Sequence, residues 1–217
     1  MKIGIELNNI VRDINGQILK YFKKDIKKDY DDKNVDLNVL NISETLPFKS
    51  DKARKTFLYI DYPYEIFGCA KNMHRNLQVR LTDWIDSLNN RDEEQCELTH
   101  FSLKEDALTI QSTYYFLSKT GTRVREMYFP KDGKDMWNIC DVLITTDERI
   151  VKTKPSNKVV VLIKKNDNAE LIKHADLVYD NLLDLMDDTD FYDKVQNIRY
   201  QKSSLWNKVV YTVKHIF

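Results

Sequence analysis

The chain repeats one unit: a short apolar segment that hands over to a stretch of helical periodicity. Lys2, Ile3, Gly4 and Ile5, followed by Leu7, Ile10 and Val11, form the first apolar run. Its near-continuous hydrophobicity is that of a strand covered on both faces. Over about 13–28, Ile14, Ile18, Leu19, Phe22 and Ile26 recur at spacings of three and four, which is one face of an amphipathic helix. Further apolar segments lie at 97–102, 124–129, 141–145, 159–163 and 177–179, and a helix over about 104–119 stops at Gly121. Parallel strands need long crossover connections, and helices supply them. The alternation therefore predicts an α/β fold, a Rossmann-type and mostly parallel sheet flanked by helices on both faces.

Two stretches fall outside this rhythm. Residues 29–96 read as an inserted lobe, with a charged entrance, an aromatic-rich run over 55–67 broken at Pro63, and a helix over 72–88 that carries Leu77, Leu81, Trp84, Ile85 and Leu88 on one stripe. The tail 187–217 follows the last strand. Within it Leu205, Trp206, Val209, Val210, Val213 and Phe217 share one helical face, an apolar surface that either packs back on its own domain or docks on a neighbouring chain or partner protein, with Trp206 and Phe217 as anchors.

Composition narrows the function classes. Thirty-four Lys and Arg balance thirty-four Asp and Glu, so no overall field holds nucleic acid or an anionic membrane. No apolar run reaches the roughly 18 residues of a membrane span, and no export signal is present, so a cytoplasmic location is expected. Cys69, Cys96 and Cys140 and the four histidines are scattered, which predicts no zinc centre. His100 reads as a buried strand histidine with a local hydrogen bond, and Asp187, Asp188 and Asp190 as a solvated linker. The abundance of Lys, Asn, Asp and Ile fits an AT-rich bacterial or phage genome.

The first strand runs into Ile3-Gly4-Ile5-Glu6-Leu7-Asn8-Asn9-Ile10-Val11-Arg12-Asp13. This resembles the first motif of the haloacid dehalogenase (HAD) superfamily of phosphohydrolases, an apolar strand ending in D-x-D-G-V-L and often followed by R-D. Residues 140–148 resemble its fourth motif. Residues 154–163 and 175–185 resemble the closing strands of the members related to small 5′-nucleotidases. Ser102 stands where the family has its Ser or Thr, and Lys131 or Lys134 where it has its Lys. The resemblance implies a HAD-like core at 1–28 and 97–186 with a small inserted cap at 29–96.

In active members of that family the first Asp attacks phosphorus, the second protonates the leaving group, and acidic residues of the fourth motif help to hold Mg²⁺. At those positions this chain has Glu6, Asn8, Thr145 and Thr146. Glu6 retains a charge but is one methylene longer, and a displacement of that order costs about 10²-fold in rate. Asn8 does not titrate near neutral pH, so it is no general acid. Two hydroxyls and an amide in place of carboxylates suit Mg²⁺ poorly. The resemblance thus implies a pseudoenzyme without cofactor, a structural or protein-interaction module of a larger assembly such as a phage virion. The alternative is a divergent Mg²⁺-dependent phosphatase acting on a small phosphomonoester.

Overall fold

The computed structural model describes residues 1–91 and 94–201. The anchors expected between Leu205 and Phe217 lie outside the described residues. Six strands form one sheet: β1 Lys2–Glu6, β2 Glu97–Phe101, β3 Met127–Tyr128, β4 Val142–Thr145, β5 Val159–Ile163 and β6 Leu177–Tyr179. Their order is β3-β2-β1-β4-β5-β6, and every pairing is parallel. β1 therefore sits in the middle, with Ile5 opposite His100 on one side and Ile144 on the other.

Side chains alternate across the sheet and separate two cores. Ile3, Ile5, Val142, Ile144, Val159 and Val161 point into one cluster, whereas Phe101, Leu143, Val160 and Leu162 point into the other. The close approach of layers at the centre explains Gly4, since a Cβ there would lie 2.7 Å from Leu143 Cδ2 and 2.9 Å from Cys140 Sγ.

The helices are α1 Ile14–Tyr21, α2 Asp51–Thr56, α3 Leu77–Asn89, α4 Ala107–Thr120, α5 Glu148–Lys152 and α6 Leu182–Asp187. α4 follows its sequence signals closely: Asp106 accepts hydrogen bonds from Leu108 N and Thr109 N, and Gly121 closes the helix at φ 69°, a left-handed cap that glycine adopts without strain. Others depart from theirs. The helix expected over 13–28 turns from α to π geometry at Phe22–Ile26. The one expected from 72 begins at Leu77, because Asn76 has φ 59° and cannot continue a right-handed turn. The strand expected over 124–129 is reduced to Met127–Tyr128, since Arg123, Arg125 and Glu126 are exposed and offer no buried face.

α3 packs in the sheet's own core, where Leu77, Leu81, Trp84 and Leu88 are buried. A third cluster draws on 14–67 and includes Ile14, Ile18, Phe22, Ile42, Phe57 and Phe67. The stretch after α6 belongs to the main core as well. A helical run over 191–201 buries Phe191, Tyr192 and Val195, with Phe191 5.4 Å from the Trp84 ring. The acidic cluster before it is tied down rather than free: Asp187 pairs with Arg80, and Asp188 accepts from Lys194 at 2.6 Å. Among the described residues no helix is long and apolar enough to cross a membrane.

Candidate functional site

Open parallel sheets gather ligand sites at the carboxyl ends of their strands, where the strand order reverses. β1 ends there in Glu6, with Ser102 just after β2 and Thr145 closing β4. Glu6 is 6% exposed. Its Oε2 accepts hydrogen bonds from Thr145 Oγ1 at 2.7 Å, Thr146 N at 2.9 Å and Thr146 Oγ1 at 3.3 Å. Burial raises the Glu6 pKa above the ordinary 4.5, and the three donors oppose that shift only in part.

Asn8 lies one turn of chain further on and belongs to a different network. Its Nδ2 donates to Ser102 Oγ at 3.2 Å, and its Oδ1 accepts from Arg12 Nη2 at 2.6 Å and Nε at 3.1 Å. Arg12 is completely buried. Its guanidinium also donates to Glu105 Oε1 at 2.5 Å, Thr113 Oγ1 at 2.5 Å and the Phe67 carbonyl at 3.0 Å. Thr113 passes a hydrogen bond to Glu105 Oε2 at 2.6 Å, and Ser102 donates to Glu105 Oε1. The Phe67 and Phe116 rings flank the guanidinium at 5.4 and 5.3 Å. Burial pulls the Arg12 pKa down while Glu105 pushes it up. Every polar atom that Arg12 brings into the interior is thus answered, as a buried ion pair requires.

The turn between β1 and α1 is shaped for this arrangement. Asn9 takes a left-handed backbone at φ 58° and donates its N–H to Arg12 O at 2.8 Å. Its side chain accepts from Asn15 N at 3.1 Å and donates to Leu40 O at 2.9 Å. Asp13 caps α1 by accepting from Gly16 N at 2.8 Å, and Asp147 caps α5 by accepting from Arg149 N and Ile150 N. Both carboxylates are engaged in capping.

The structure brings Glu6, Thr145 and Thr146 together, and joins Asn8 to Ser102. Lys131 and Lys134 are exposed after β3, where Lys134 pairs with Asp132 at 3.3 Å. The lysine that feels the Glu6 charge is Lys165, in the loop after β5; burial lowers its pKa, Glu6 and neighbouring aspartates raise it, and its Nζ donates to Asn38 Oδ1 at 3.2 Å. Neither Lys165 nor Glu105 carries a sequence signal, because each acquires its role from elements distant in the chain. A cleft of about 420 Å³ opens over the site, lined by Glu6, Asn8, Phe67, Leu103, Thr146 and Arg149 among others.

As a metal site this donor set is a poor match. Mg²⁺ takes hard oxygens and one or two carboxylates, whereas the Oε2 of Glu6 is already taken by three donors and Asp147, which lines the same cleft, is engaged in capping α5. Among the described residues no group of three or more His, Cys, Asp or Glu side chains is arranged to hold a metal ion.

The Glu6 environment makes a prediction about pH. A carboxyl with a raised folded-state pKa favours folding most below its unfolded value and loses that contribution as pH rises through the folded value. Glutamine's single carbonyl can accept the same three donors, because they converge on one oxygen. Glu6→Gln should therefore be more stable than the parent at about pH 8 and lose part of the pH dependence between about pH 4 and pH 8. Urea titrations at the two pH values check this, and a variant destabilised equally at both would contradict it.

No family model and no curated protein matches the chain. Among solved structures it is similar to a protein from Burkholderia xenovorans LB400 named as a haloacid dehalogenase-like hydrolase, with a TM-score of 0.50 and 10% sequence identity over 88% of this chain and 97% of that one. That likeness is one of fold and agrees with the strand order around Glu6: the chain has a haloacid dehalogenase-like fold.

Proposed function

We propose that this protein is a HAD-like scaffold without phosphohydrolase activity, working as a structural or protein-interaction module, as in a phage particle or another large assembly. One observation carries the reading. The side chain at the end of β1 that would serve as nucleophile is a buried glutamate whose Oε2 takes three hydrogen bonds. Three hydrogen bonds lower the nucleophilicity of that oxygen, and the extra methylene of glutamate displaces the carboxylate from where an aspartate would hold it. Asn8, at the acid position, is held by Arg12 and Ser102, and an amide provides no proton for a leaving group. Function is argued from the site rather than the fold, and this site has neither of the two groups.

Purified protein incubated with p-nitrophenyl phosphate and with nucleoside monophosphates in the presence of Mg²⁺ should give no turnover above buffer, and Glu6→Gln should be indistinguishable from the parent. Turnover that Glu6→Gln abolishes would overturn the reading in favour of a divergent Mg²⁺-dependent phosphatase.

A further inference from the structure

A second cleft, of about 310 Å³, opens on the sheet face covered by α3, and no residue of the Glu6 site lines it. Leu81 and Ile85 of α3 form one wall, and Val124, in the connection from α4 to β3, lies opposite. Its floor is β2, where Leu98 and His100 point to the same side because strand side chains alternate. At the mouth Arg123 and Arg125 are balanced in number by Asp86 and Glu97, so the rim selects for neither sign of charge. Gln78, Thr82, Asn89, Gln95 and Thr122 also line it, so the apolar wall is a patch within a largely polar cleft, whose volume is at the small end of the roughly 300–1,000 Å³ usual for small-molecule sites.

His100 is the buried polar group at the floor. It is 1% exposed, and neither ring nitrogen has a hydrogen-bond partner among the described residues; the local hydrogen bond expected from sequence is absent. Burial pushes its pKa down to about 4, so near neutral pH the ring is uncharged and offers one donor and one acceptor. Buried polar atoms are rarely left unanswered, and each unanswered one is destabilising. Packing of β2 against α3 does not require a histidine here, since Leu98 fills the same face with carbon.

We propose that this cleft binds a small uncharged ring compound bearing a hydroxyl, with the ring against Leu81, Ile85, Leu98 and Val124 and the hydroxyl on the His100 imidazole. A hydroxyl both donates and accepts, so it suits whichever nitrogen carries the proton. Both nitrogens are buried, so binding requires the ring to turn toward the cleft, where it meets the hydroxyl without a competing hydration shell. The site is independent of the catalytic reading of the Glu6 end and stands or falls separately from it.

Phenol is the probe, titrated against isotope-labelled protein and followed by NMR at the His100 ring and the methyl groups of Leu81, Ile85, Leu98 and Val124. Saturable shifts confined to these residues are expected. Leu81→Trp, which fills the cleft, should abolish them. His100→Phe should weaken phenol roughly tenfold, the worth of one hydrogen bond, and leave benzene binding unchanged. The proposal is overturned by absence of saturable shifts, by shifts that persist in Leu81→Trp, by equal effects of His100→Phe on phenol and benzene, or by tighter binding of benzoate or benzylamine than of phenol. Should Leu81→Trp fail to fold, the His100→Phe comparison decides alone.

Discussion

Arg12→Met should remove about 3–5 kcal/mol of stability, the loss that follows when one partner of a buried ion pair is deleted, and a large share of the 5–15 kcal/mol that holds a typical domain folded. The reason lies in what remains. The Glu105 side chain has no solvent exposure, and without Arg12 it keeps, among the described residues, the Ser102 and Thr113 hydroxyls as donors. Asn8 Oδ1 and the Phe67 carbonyl lose their donor at the same time. Urea unfolding followed by circular dichroism measures the loss, and an unchanged slope confirms that the same transition is being compared. Adding Glu105→Leu should recover much of it, because two apolar side chains leave no buried charge behind. A single variant within about 1 kcal/mol of the parent would show that the pair is solvated and that the network does not organise the site.

Phe57→Ala is expected to cost a comparable amount, about 3–5 kcal/mol, through lost burial and the cavity left behind, but to spend it locally. Phe57 links a chain of rings in which Phe22 and Phe48 lie 5.0 Å apart, Phe48 and Phe57 5.3 Å, and Phe57 and Tyr62 4.9 Å. All of them belong to the cluster of 14–67, separate from the two cores of the sheet. Hydrogen exchange read by mass spectrometry should therefore show amides over 22–68 losing protection while β1, β2, β4 and β5 keep theirs. Uniform loss across both regions would mean that lobe and sheet unfold as one unit. The ties that could transmit the damage are specific: Asn15 donates to Leu37 O at 3.1 Å and Val39 O at 2.6 Å and accepts from Ile42 N at 3.1 Å.

What the sequence displays is whatever depends on local pattern. The runs at 2–5, 159–163 and 177–179 read as strands because both faces of a parallel sheet are buried, and Gly121 reads as a helix end because a left-handed cap needs it. The frame of Glu6, Asn8, Ser102 and Thr145 is visible for the same reason, since each residue closes or follows such a run. The part that decides the chemistry is not local. Arg12 and Glu105 meet only because β1 and β2 are neighbours, and neither a periodicity nor a spacing announces a pairing made across the sheet. The shift from α to π geometry at Phe22–Ile26 likewise leaves its hydrophobic stripe almost unaltered, so a pattern of threes and fours cannot distinguish the two. His100 fails differently: its burial follows from the strand, whereas its lack of a partner among the described residues depends on which distant elements pack against β2.

The central position of β1 also governs how the chain can be made. Its hydrogen-bonding partners are residues 97–101 on one side and 142–144 on the other, so during synthesis the first strand leaves the ribosome long before either neighbour exists. At about 5–20 residues per second the wait for β4 is on the order of 10 s. Throughout it Ile3 and Ile5, which are wholly buried in the finished protein, are exposed on an unpaired apolar strand. Exposed apolar surface of that duration is the condition under which aggregation competes with folding.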